Sequence, residues 1–66
     1  MPKMSLKAAR NNVNLTQTQA AEALGVSVST IKSYEKGKTF PQQPMIEKLC
    51  ELYKVNYDQV NFLAEN

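Results

Sequence analysis

Helix-start signals and glycines alternate at short, fixed distances between positions 16 and 37, and this order leaves the chain few ways to fold. Thr16 is followed three residues later by Gln19, a T-x-x-Q capping box that opens a helix. Ala20, Ala21 and Leu24 follow at helical spacing, and Gly25 supplies a residue able to take a positive φ at the helix end. Only Val26 and Ser27 separate that glycine from the next helix. Ser27 can cap it, Ile31 and Tyr34 form its apolar stripe, and Gly37 ends it.

The flanking segments carry the same kind of punctuation. Ser5 can cap a first helix whose apolar positions are Leu6, Ala9 and Val13, and the polar run Asn11-Asn12-Val13-Asn14 reads as its end and a loop. After Gly37, the stretch Lys38-Thr39-Phe40-Pro41-Gln42-Gln43 is a loop, and Pro44 suits the first turn of a fourth helix, where a missing N–H matters least. Met45, Ile46, Leu49, Cys50, Leu52 and Tyr53 give that helix a wide apolar stripe, with Glu47, Lys48 and Glu51 facing out. Val55 ends it. Asn56 with Gln59 forms another capping box, predicting a short fifth helix through Tyr57, Val60, Phe62 and Leu63. With no repeat and no dividing linker, the expected fold is all-α: one domain, residues 1–66, of five short helices around one core.

Composition removes most function classes. Ordering 66 residues costs on the order of 100 kcal/mol, which one small core must recover by tight packing. A disulfide framework is impossible within the chain because Cys50 stands alone, and with no His and one Cys a zinc site lacks its usual ligands and a Cys–His nucleophile its base. Cys50 falls on the apolar stripe as a small core residue. Glu47 and Glu51 share one helix face with Lys48, which reads as a solvated face rather than a paired-acid site. Apolar stretches are only a few residues long, so neither a membrane span nor a signal peptide is expected. The expectation is a cytoplasmic, non-enzymatic domain without cofactor, metal or small-molecule ligand.

Charge is unevenly spread. Residues 1–43 hold six basic side chains against two acidic ones, whereas residues 44–66 hold two against four. A basic face that meets a polyanion fits this, and so does an ordinary lysine-rich surface. At about 100° per residue, the third helix turns Ile31 and Tyr34 inward. Ser29, Lys32, Ser33 and Lys36 then lie outward, with Val28 at the leading edge. Small hydroxyls and lysines can approach base edges and phosphates closely, although they also suit a solvated face. The very short glycine turn and the small Ala20 and Ala21, which allow close packing, tilt the reading toward a helix-turn-helix.

Residues 17–36 resemble the phage-repressor helix-turn-helix family, also called the Cro/repressor or XRE type. That motif wants Gln at its first position, a small residue at the fifth, Gly at the ninth and a branched apolar residue at the fifteenth, and Gln17, Ala21, Gly25 and Ile31 supply them. Tyr34-Glu35-Lys36-Gly37-Lys38 is similar to the family's Y/L-E-x-G-K stretch, and Pro44, Leu49, Leu52-Tyr53-Lys54-Val55 and Asp58 are similar to its last two helices. The resemblance covers residues 4–63.

It implies a lambda-repressor-like bundle that reads double-stranded DNA with Val28, Ser29, Lys32 and Ser33. Gln17, Thr18, Lys36, Lys38 and Thr39 would contact the backbone. It also implies an ion pair between Arg10 and Glu35, structural before anything else. The sequence departs from some members in the uncharged loop Thr39-Phe40-Pro41-Gln42-Gln43, where they carry arginines; this argues against strong minor-groove readout.

The functional expectation is a small phage or prophage-type transcriptional regulator, a repressor acting by operator occupancy, with two copies on a pseudo-palindromic site. Phe40, Tyr57, Phe62 and Leu63 are candidates for a contact between copies, Tyr57 and Phe62 being assigned first to the core. The alternative is a helix-turn-helix module that binds another regulator without reading DNA.

Overall fold

The computed structural model describes residues 3–62. Helices begin where a side chain can replace a missing acceptor. Ser5 accepts the Ala8 N–H at 3.0 Å and starts α1 (Leu6–Asn12). Thr16 accepts the Gln19 N–H at 3.0 Å while the Gln19 side chain takes the Thr16 N–H at 2.9 Å, a reciprocal box that starts α2 (Gln17–Leu24). Ser27 accepts the Thr30 N–H at 3.2 Å and starts α3 (Val28–Lys36). α4 (Gln43–Tyr53) has no side-chain cap and relies on Pro44 in its first turn.

All four α-helices among the described residues end alike. Each closes with a pair of backbone bonds around one left-handed residue, so the last carbonyls are satisfied without side chains. After α2, the Val26 N–H donates to the Ala21 carbonyl at 3.0 Å and the Gly25 N–H to the Glu22 carbonyl at 3.3 Å. Lys38 and Gly37 repeat the pattern after α3, Val55 and Lys54 after α4, and Leu15 and Asn14 after α1. The left-handed residues are Asn14, Gly25, Gly37 and Lys54, with φ of 60°, 73°, 77° and 58°. Glycine meets that geometry freely, and asparagine tolerates it. Lys54 carries a cost of roughly 1–2 kcal/mol.

The core gathers Leu6 and Ala9 of α1, Ala20, Ala21 and Leu24 of α2, Ile31 of α3, and Ile46, Leu49 and Tyr53 of α4. Ala9 and Ala20 are fully covered. Cys50, Leu52 and Met45 are only partly buried against this cluster. No described helix is long and apolar enough to cross a membrane.

The expected fifth helix does not form. Asn56 and Gln59 do meet, the Asn56 N–H donating to the Gln59 side chain at 2.7 Å, but the turn they close is a single 3-10 turn, Tyr57–Gln59. Val60 then extends, with φ −121° and ψ 134°, and β2 (Val60–Asn61) pairs in parallel with β1 (Met4–Ser5), Met4 opposite Val60 and Ser5 opposite Asn61. The reason is periodicity. Val60 and Phe62 are both buried, and two residues i and i+2 share a face only in extended backbone; a helix would have turned them about 200° apart. The fold is therefore four α-helices plus a two-strand parallel pairing that ties the two ends of the described chain together. Leu63 lies outside the described residues.

Tyr57 is also not core. It is 56% exposed and stacks on the buried Phe62 ring at 5.4 Å and 18°, while the half-exposed Phe40 meets Phe62 edge-on at 6.4 Å. A 3-10 turn points Tyr57 over the outside of Phe62, where the predicted helix would have turned it inward.

Candidate nucleic-acid interface

α2 and α3 are held in fixed relation by the three-residue turn Gly25-Val26-Ser27, by Ala20 and Ala21 packing with Ile31 in the common core, and by the capped helix ends on either side of the turn. This fixes which side of α3 faces out. Ser29 and Lys32 are exposed, Val28 and Ser33 half-buried, and Lys36, Lys38 and Thr39 exposed further along. The only carboxylate in α3, Glu35, is turned inward: its side chain is 7% exposed. The outward face of α3 therefore carries hydroxyls and ammonium groups with no acid.

Beside that face runs an open groove of about 580 Å³ between α3, the following loop and the start of α4. Ser29, Ser33, Thr39 and Phe40 line one part of it. Thr30, Gln42 and Lys48 line it too, and sequence reasoning missed them. Gln42 and Lys48 belong to α4 and its cap, and nothing local in the sequence shows that α4 begins alongside α3.

Behind the face sits a buried polar cluster. Glu35 Oε2 accepts from Arg10 Nε at 2.7 Å, and Oε1 accepts from Arg10 Nη2 at 3.3 Å and from Gln17 Nε2 at 3.0 Å. Arg10 Nη1 donates to the Leu15 carbonyl at 2.7 Å, which pins the turn leading into α2. One carboxylate thus joins α1, α2 and α3. Among the described residues no buried side-chain nitrogen or oxygen lacks a partner. The hydrogen bonds Arg10 donates to Glu35 raise its pKa despite its burial, so the guanidinium stays charged. Gln17 is accordingly held by Glu35, and Thr18 beside it is exposed.

Tyr53 lies near this cluster, and burial, reinforced by the Glu35 charge, pushes its phenol up to about 12. The unfolded chain ionises a tyrosine near pH 10. Below that pH the contribution of this group is fully present, and stability is lost as pH rises from about 10 through 12, because the unfolded state then binds fewer protons. The denaturation midpoint of the parent should fall more steeply across that window than that of Tyr53→Phe; parallel curves would show that the phenol is not withheld from water.

The helix-turn-helix family profile matches residues 6–60, nearly the whole described chain. The chain belongs to the XRE-type helix-turn-helix family. Over 51 residues this helix-turn-helix protein is 29% identical to the cryptic phage CTXphi transcriptional repressor RstR of Vibrio cholerae serotype O1, covering 77% of the chain and 46% of that relative. Over 55 residues it is 34% identical to the HTH-type transcriptional activator BcrR of Enterococcus faecalis, covering 83% of the chain and 27% of that protein. The chain thus spans less than half the length of either relative. No solved structure matches it.

Proposed function

We propose that this chain binds double-stranded DNA sequence-specifically and regulates transcription, acting as a repressor of phage or prophage type by occupying an operator. The observation that carries this reading is the outward face of α3: lysines and hydroxyls without an acid, on a helix locked to α2 by a three-residue turn. α3 enters the major groove, where Val28, Ser29, Lys32 and Ser33 meet base edges, while α2 crosses the backbone. Gln17, Thr18, Lys36, Lys38 and Thr39 are assigned to phosphates. Of the two relatives one is named a repressor and one an activator. The relative named a phage repressor supports occupancy as the means of control; the proposed place of action is the cytoplasm.

One short recognition helix reads too few base pairs to find a site in a genome, so two copies bind one pseudo-palindrome with half-site centres about 34 Å apart. The chain measures 30 Å along its longest axis, a little short of that spacing, so a contact between neighbours has to be made by projecting side chains. Among the described residues, Phe40 and Tyr57, both exposed and both in ring contact with Phe62, are the large apolar side chains available for such a contact. Footprinting at saturation should show two protected half-sites; a single asymmetric half-site would remove the second copy.

Selection from random duplexes by the purified protein tests the whole reading. An enriched pseudo-palindrome, bound with an affinity that falls steeply with salt, is the expected result. No measurable DNA affinity at about 50 mM salt would instead favour a module that binds another regulator.

A further inference from the structure

We propose that Glu35 is a positioning residue for the DNA backbone contact, holding the Gln17 side chain so that its second amide hydrogen faces a phosphate. The inference rests on the DNA-binding reading above and adds a device to it. Gln17 is the first residue of α2, and the capping box already consumes the amides of Thr16 and Gln19. The backbone amides of Gln17 and Thr18 are the remaining ones of the four that a helix start leaves without intrahelical acceptors. A glutamine there has three rotatable bonds and would ordinarily sample many orientations in water, losing entropy on each contact it makes. Here one of its two N–H groups is spent on Glu35 Oε1 at 3.0 Å. A carboxylate is a strong acceptor, and this one is itself held: Arg10 donates to both its oxygens, and Arg10 is tied to the Leu15 carbonyl. The geometry leaves the other N–H of Gln17 as a preset donor beside two backbone amides. Because Glu35 belongs to α3, the same oxygen sets the phosphate grip of α2 in register with the base-reading helix.

A cycle of four proteins tests this: the parent, Gln17→Ala, the double variant Arg10→Met with Glu35→Met, and the triple variant. Replacing a buried ion pair by apolar side chains of similar size preserves net charge and commonly preserves folding. In the parent background Gln17→Ala should weaken operator and scrambled duplexes alike by about tenfold, with no change in salt slope, since a neutral contact releases no counterion. In the methionine background the same substitution should change affinity less than about twofold, because an untethered side chain gives up in entropy much of what the contact contributes. An equal loss in both backgrounds overturns the proposal. DNA binding by the parent that is untouched by Gln17→Ala overturns it while leaving the DNA reading intact, and a parent that binds no DNA overturns both.

A second measurement needs no DNA and no methionine variant. In the free parent protein one side-chain amide proton of Gln17, the one given to Glu35, should be shifted away from its random-coil NMR position and slow to exchange with water, with restricted side-chain motion. Random-coil shifts and fast exchange for both protons, with a freely reorienting side chain, would show that Glu35 does not hold it and would overturn the proposal.

Discussion

Arg10→Ala lowers the free energy of unfolding by about 3–5 kcal/mol, the expected consequence of leaving one member of a buried ion pair without its partner. Arg10 and Glu35 are 8% and 7% exposed, and the guanidinium makes three bonds, two to Glu35 and one to the Leu15 carbonyl. Removing it strands a carboxylate among apolar side chains with only Gln17 to satisfy it. Small domains hold roughly 5–15 kcal/mol in all, and one this size sits at the lower end, so the variant should be largely unfolded at physiological temperature. Changing both residues to methionine should cost much less than Arg10→Ala alone, because no charge is then buried unpaired. Urea melts followed by circular dichroism measure both. An Arg10→Ala midpoint equal to that of the parent would mean the pair contributes nothing in solution.

The second large effect separates two lysines of equal charge. Lys32 is exposed on the outward face of α3, one turn after Val28, whereas Lys38 lies just past the left-handed Gly37, where the chain leaves α3. With α3 in the major groove, Lys32→Ala should cost about 1–3 kcal/mol on the selected operator and relax the choice of base at one position. Lys38→Ala should weaken every sequence by a similar factor and lower the salt slope by about one. A merely basic surface would give the same sequence-independent loss for both. Binding of each variant to operator and scrambled duplex at two salt concentrations decides between them, and identical uniform losses would be fatal to the docking of α3 in the groove.

What could be read without coordinates was local. Thr16 and Gln19, Ser27, Ser5, Gly25 and Gly37 act within one turn of chain, through hydrogen bonds or a φ value, so the limits of α1, α2 and α3 follow from residue type and spacing. The outward set on α3 followed from the same logic once Ile31 marked the inside. The capping signal at Asn56 was equally local and equally present, yet it did not make a helix. The burial of Val60 beside Phe62 and the pairing with Met4–Ser5 outweighed it, and neither is a property of the segment itself. Lys54 at φ 58° is the same case in reverse: no turn residue announces the end of α4, and the left-handed conformation falls on an exposed lysine where the Lys54 and Val55 amides close the helix on Glu51 and Cys50.

The candidate site divides along the same line. Which residues α3 turns outward was legible, since a helix of known phase needs only one inward residue to orient it. The family resemblance named the pair of Arg10 and Glu35, but that Gln17 of α2 joins Arg10 of α1 on one oxygen of Glu35 was not legible. Local signals determined where this chain bends and which residue types it presents, because they act over three or four residues. Only the tertiary structure decided that Met4–Ser5 and Val60–Asn61 pair as strands and that one buried acid ties three helices together, because burial and charge pairing depend on distance in space and not along the chain.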